Sequence, residues 1–197
     1  GKDGSGDYAA NKGALIHIAD YSVSAFVSFK AFLEGIKYTR EVGGREFKAE
    51  ERTVEYAVMG GPLQKDEFQL TINVPSHSVN EARANLQKIQ NLFRFAIKKH
   101  STTNENVFGR TAGGEVYVHF SNWIKRTTGV SLLNKPRWSD ISNNGLICIL
   151  ESLGVSFDDD AGMFDAGGYL YPKVLNLSLN LKINDSREAK YGRQGLT

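Results

Sequence analysis

At 197 residues the chain has room for one domain, or one domain with an extended arm. Hydrophobic residues at 41% and charged residues at 23% are ordinary for a globular protein. A formal charge of +2, with acids and bases interleaved, gives no electrostatic reason to expect nucleic acid or an acidic membrane surface as a ligand.

Twenty glycines, eleven phenylalanines and eight tyrosines favour β-structure with many turns. Cys148 is the only cysteine, which excludes an intramolecular disulfide and a zinc site built on several thiolates. Its neighbours Leu146, Ile147, Ile149 and Leu150 mark it as a buried, inert thiol. No run approaches the roughly 18 apolar residues of a membrane span. Residues 1–19 open on a glycine-rich stretch without the apolar core of a signal peptide, and are expected to be a flexible N-terminal segment.

From 22 to 38 the chain reads as one long strand. Val23, Ala25, Val27, Phe29, Ala31 and Leu33 recur at period two on one face. The other face carries Ser22, Ser24, Ser28, Lys30 and Glu34, together with Phe26, Phe32 and Ile36. Gly43 and Gly44 suit the positive φ angles of a tight hairpin turn. Residues 46–58 are expected to return as the second arm, with charges on both faces (Glu46, Lys48, Glu50 and Arg52 against Glu51 and Glu55), which keeps it out of its own domain's interior. A dozen residues at about 3.3 Å each reach about 40 Å, also about the diameter of a compact chain of this size. The hairpin therefore crosses the domain or projects beyond it, and its open edges are most simply covered by a neighbouring copy. Phe29, Phe32, Ile36, Tyr38, Phe47, Lys48, Glu50, Arg52, Val54 and Tyr56 are the residues expected at that contact.

Gly60, Gly61 and Pro62 break the pattern. Phe68, Leu70, Ile72 and Val74 then alternate with Glu67, Gln69, Thr71 and Asn73, predicting a strand with one buried face that Pro75 ends. Ser78 followed three residues later by Glu81 is a capping box. Val79, Ala82, Leu86, Ile89, Phe93 and Ala96 make one apolar stripe behind it, too short for a coiled coil and suited to docking on a sheet. Residues 100–114 read as an exposed loop and 115–123 as a short strand. Residues 124–144 have no clear period, apart from a turn around Pro136. Residues 145–157 are apolar enough for a central strand. Leu175, Leu177, Leu179, Leu181 and Ile183 alternate with Asn176, Ser178, Asn180 and Lys182 in the cleanest strand of the chain. Residues 186–197 are expected to be a loose, charged C-terminal tail. The fold class is therefore α+β, mainly antiparallel β, with one flanking amphipathic helix and a long β-hairpin.

Chemistry is harder to find. Asp158, Asp159, Asp160 and Asp165 cluster, but without the ligand spacing of a helix–loop–helix calcium site, and read as a solvated loop. His17, His77, His100 and His119 are scattered and show no zinc-binding spacing. The glycines of residues 1–6 lack the strand before and the Gly-Lys-Ser/Thr ending of a phosphate loop. Capping accounts for Ser78 beside Ser76 and His77. No catalytic, cofactor-binding or metal-binding residue is expected, and no cofactor.

Three segments taken in order carry a resemblance. They are residues 68–93, with Val74, Pro75, Ser76, His77 and Ser78 between strand and helix; residues 154–168, reading GVSFDDDAGMFDAGG; and residues 169–183, reading YLYPKVLNLSLNLKI. Residues 28–35, SFKAFLEG, fit the front of the same pattern. Together they resemble the baseplate and tail-tube initiator or cap proteins of contractile-tailed bacteriophages, over about residues 20–185. The resemblance implies a tail-tube-like β-sandwich or barrel domain over that span, with long strands shared between subunits. It also implies a hexameric ring stacked on other tail-tube, baseplate and hub proteins around a channel that DNA crosses in transit, with no membrane partner. It carries over no active site. The matching positions, Val74 and Pro75, Glu81 and Asn85, and Tyr171, Pro172 and Lys173, read as structural. Residues 56–62 depart from the pattern, where a Tyr-Gly-Arg-like turn would be expected.

The resulting expectation is a structural virion protein, assembled in the host cytoplasm, forming a ring at the baseplate–tail tube junction that initiates or caps the tube and lines the ejection channel. The alternatives within the same ancestry are a main tail tube subunit or a tail terminator. A β-sandwich carbohydrate- or protein-binding module would instead gather Trp123, Trp138 and Tyr169 in one groove. A wall-degrading baseplate enzyme would need a pair of carboxylates at a cleft, for which residues 158–165 are the sole candidates.

Overall fold

The computed structural model describes residues 5–30, 32–41, 65–96, 114–126, 128–133, 135–183 and 194–196. Helix α1 (Ser5–Asn11) leads into strand β1 (Leu15–Asp20). Asp20 then turns the chain, its Oδ1 accepting from the Ser22 and Val23 amides at 2.7 and 2.9 Å. Strands β2 (Phe26–Lys30), β3 (Phe32–Glu41) and β4 (Lys65–Pro75) follow, and then helix α2 (Val79–Ala96). The rest comprises β5 (Glu115–Phe120), β6 (Ile124–Arg126), α3 (Trp138–Asn144), β7 (Leu146–Phe157), β8 (Met163–Ala166), β9 (Tyr169–Pro172), β10 (Val174–Ile183) and β11 (Gln194–Leu196).

Every ladder among the described residues is antiparallel. The main sheet runs β3–β4–β10–β7–β5–β1–β2, with β6 hairpinned onto the end of β5 and β11 beside β6, while β8 and β9 form a separate pair. Strands β2 and β3 occupy opposite edges yet are separated in sequence by Ala31 alone. Two consecutive Cα–Cα steps span under about 8 Å, so the sheet has to curl until its edges approach. Among the described residues no ladder joins those edges.

The curl creates one main core. Ile16, Ile18, Val27, Phe29, Phe68, Leu70, Ile72, Leu177 and Leu179 meet on the inner face, and α2 lays Ile89, Leu92 and Phe95 against them. Each such side chain withdrawn from water contributes about 1.5–3 kcal/mol. A smaller core of Ala19, Tyr117, Leu132, Ile141 and Ile147 covers the outer face of β1, β5 and β7. Two covered faces explain why residues 146–150 of β7 are apolar without alternation.

Several expectations are corrected. The single strand over 22–38 is two strands on opposite sheet edges, and Val23 lies exposed in the Asp20 turn. Phe29, expected between subunits, is 0% exposed in the core, because β2 pairs with β1 and places Phe29 opposite Ile16. Strand β3 pairs with β4, in register from Phe32↔Asn73 to Glu41↔Lys65. That second arm, its glycine turn, and Phe47, Lys48, Glu50, Arg52, Val54 and Tyr56 lie outside the described residues.

Residues 1–19 are not simply a flexible lead. From Leu15 the chain enters the sheet between β2 and β5, where Ile16 and Ile18 lose all solvent contact. The C-terminal tail likewise returns, with β11 pairing Gln194↔Arg126 through Leu196↔Ile124. Two seven-residue helices, α1 and α3, join the one expected helix. The acidic stretch 158–165, read as a solvated hairpin loop, leads into the hairpin β8–β9, whose turn is formed by Gly167 and Gly168 at φ 65° and 81°.

Candidate interaction surfaces

The corner from β4 into α2 forms as the sequence indicates. The Ser78 hydroxyl accepts from the Glu81 amide at 3.2 Å, and the Glu81 carboxylate accepts from the His77 amide at 2.8 Å. Glu81 also receives the Lys30 ammonium of β2 at 3.1 Å. Burial pushes the Glu81 carboxyl up, but the His77 amide and Lys30 outweigh it and hold it below its ordinary value. The helix is rotated from the expected stripe. Ala82, Asn85, Ile89, Leu92 and Phe95 are buried, Leu86 is half-buried and Phe93 is exposed. Both rows satisfy three- and four-residue spacing, and Asn85 decides between them by donating to the buried Ser76 hydroxyl at 3.1 Å. Lys88, half-buried over the Phe29 ring at 5.7 Å, has its ammonium pulled down chiefly by burial.

The opposite side of β4 and β10 carries no helix among the described residues. Their outward residues pair across the ladder as Asn73↔Asn176, Thr71↔Ser178, Gln69↔Asn180 and Glu67↔Lys182. Ser152, Gly154 and Ser156 of β7 continue the rows, and Gln69, Ser178 and Asn180 are exposed. The result is a flat wall of amides and hydroxyls in which Glu67 faces Lys182.

Among the described residues the wall has β3 at one edge, and at the other β5 stops pairing with β7 near Leu150, so that residues 151–157 form a ladder with β10 alone. A bulge at Glu34 alters which way β3 points its side chains. Before it Phe32 stands outward opposite Asn73, 67% exposed; after it Ile36 and Tyr38 stand inward opposite Leu70 and Phe68. Of the expected contact residues, Phe32 therefore presents itself fully, Tyr38 and Ile36 in part, and Phe29 not at all.

Other candidates are not brought together. Trp138 packs edge-on to Tyr117 and donates to the Asp20 carbonyl at 2.9 Å, so it is not offered with Trp123 and Tyr169, which stand exposed on the β5–β6 turn and on β9. The Asp158 carboxylate is engaged by the Asp160 and Ala161 amides. Among the described residues no group of three or more His, Cys, Asp or Glu side chains could hold a metal ion. None of their helices is long and apolar enough to cross a membrane. Cys148 is fully buried and burial raises its thiol pKa well above the ordinary value.

Sequence spacing did not anticipate one polar cluster. His17 and His119 face each other across β1 and β5, with ring centroids 6.0 Å apart, and are 2% and 0% exposed. Their separation by a hundred residues hides the pairing, although an alternation of apolar residues about each histidine was legible. Comparison with known proteins finds no matching family model and no matching curated sequence.

Proposed function

We propose that the chain is a structural subunit of a contractile phage tail, forming a ring at the baseplate–tail tube junction that initiates or caps the tube and lines the ejection channel. In this reading the curled sheet with α2 across it is a tail-tube-like barrel. The observation that carries the proposal is the four-stranded patch β3–β4–β10–β7, bounded by β3 at one side and by residues 151–157 at the other, neither of which enters a further ladder among the described residues. With an even number of antiparallel strands, β3 of one copy runs antiparallel to β7 of the next when a rotation axis parallel to the strands relates them. Head-to-tail joining of this kind closes into a ring, and sixfold closure is what the resemblance adds. The uncovered face then becomes the channel wall, where amides and hydroxyls offer a passing polyanion few neutralising cations.

The test is the mass of the purified chain in solution followed by electron microscopy, with and without the segment between β3 and β4. Replacing residues 43–63 by Asn-Gly closes that hairpin with a two-residue turn in the existing register. Full-length chain is expected as rings and the shortened chain as folded monomers. A monomeric full-length protein, in the presence of its tail partners as well as alone, would sink the proposal. Long filaments of the full-length chain would instead identify a main tube subunit.

A further inference from the structure

Residues 128–133 have no helix or strand, yet they pack on the outer face of the sheet through Leu132 and reach the buried His119 through Val130. They are clipped there at Val130, whose backbone is held at both ends by side chains. The Asn144 amide oxygen accepts from the Val130 N–H at 2.9 Å, and His119 Nε2 donates to the Val130 carbonyl at 3.0 Å. That bond fixes the proton of neutral His119 on Nε2 and leaves Nδ1 as a buried acceptor without a partner. His17, beside it, shares a 2.7 Å bond between Nδ1 and the Ser28 hydroxyl of β2.

The surroundings tolerate two neutral rings and not a charged one. The residues of the covering segment, from Thr128 to Leu133, include no titratable side chain. β2 contributes the Ser28 hydroxyl, α3 the Asn144 amide, and Gly13 after α1 lies against Leu132 and Leu133 without a charge. The charges acting on the rings are that of His119 on His17 and that of Lys125 of β6 on His119; no carboxylate is among them. A proton on His119 would create a buried N–H donor at Nδ1 with nothing to receive it, next to a second ring. Lifting the segment bonded to His119 exposes that ring without parting β1, β2 and β5, which are joined by continuous ladders.

We propose that the His17–His119 pair and the Val130 clip form an acid-sensitive latch, in which proton uptake by the pair lifts residues 128–133 off the sheet while the sheet stays folded. The inference is independent of the phage-tail reading. Burial, and then the neighbouring His119, hold His17 down to about 4, and burial lowers His119 as well, so the closed form stays unprotonated through mild acid.

Hydrogen exchange at the Val130 amide tests this. If opening frees one ring to take a proton, the opening equilibrium approaches a tenfold rise per pH unit well below about 6.5, and rises about twentyfold between pH 6 and 4.5. Rates are normalised to an unstructured peptide, and amides of β1 and β5 should keep their protection. His119→Gln retains a donor for the Val130 carbonyl and removes a titrating ring, and should flatten the response. A Val130 protection constant over this range overturns the latch, as does simultaneous loss of protection in β1 and β5. If His119→Gln does not fold, the wild-type ring shifts decide: either ring titrating near 6.5 with the segment still closed is equally fatal.

Discussion

Asn85 lies in the buried row of α2, and its position depends on Ser76, the residue that leaves β4. Replacing Asn85 by Leu strands the Ser76 hydroxyl in the interior, at about 1–3 kcal/mol, whereas adding Ser76→Ala removes both halves of the bond and should recover most of the loss. Urea midpoints with an unchanged m-value would measure both steps. His17 makes a different contribution, to pH dependence. Its folded value of about 4 lies below the ordinary 6.5, so the unfolded chain takes the proton first. Stability from this ring is complete above pH 6.5, declines as pH falls through that value, and has fallen by about 3 kcal/mol once pH reaches 4. Glu81, held below its ordinary value, loses its share only at more acid pH. Comparing wild type with His17→Gln by urea unfolding at pH 7.5 and 4.5 isolates the histidine. The variant should show the shallower decline.

Strand β3 turns on a single inserted residue. Because Glu34 bulges out of the ladder, Ile36 joins Leu70 on the inner face although it is out of phase with Val27 and Phe29. Deleting Glu34 restores regular alternation without changing what faces Leu70 or Phe68, and its melting temperature should stay within a few degrees of wild type. Deleting Lys37 moves Tyr38 out of phase with Phe68 and should destabilise the fold by a clearly larger margin in the same thermal scan. This bulge also explains what the sequence concealed. Period two identified β4 and β10, an apolar run identified β7, and a capping box located α2, because each signal lies within one element. The division of residues 22–38 was not visible, since the bulge and the Ala31 junction acquire meaning only when β1 and β4 take opposite edges. For α2, two rows of similar spacing compete, and apolar content alone favours the row without Asn85. The glycine-rich start drew attention from Leu15, Ile16 and Ile18, which read as a buried strand once the glycines are set aside. Of the residues expected at a contact, Phe32 is exposed and Tyr38 partly so; that residues 151–157 pair with β10 alone among the described residues was not legible, because it depends on where β5 stops.

At the scale of the molecule, the outer face of β4, β10 and residues 151–157 is the largest consequence of the topology. Helix α3 and residues 128–133 cover one side of the sheet, α2 packs against its core, and this wall receives nothing among the described residues. If it lines a channel, its shortage of cations is functional, because each neutralised phosphate adds affinity and a ring multiplies every substitution by the number of its copies. Ser178→Lys with Asn180→Lys, both at exposed positions, should therefore turn the assembled ring into a trap for DNA. Retention should fall by about a thousandfold or more between 50 and 200 mM salt. Linear duplex has ends that can thread a bore, and a covalently closed circle has none. The substituted ring is expected to hold linear DNA and pass over circular DNA in a gel-shift series, while the wild-type ring holds neither. Equal capture of circles would place the lysines on the outside of the assembly, and capture of neither form would mean that DNA does not reach this wall; either result rejects it as the channel lining.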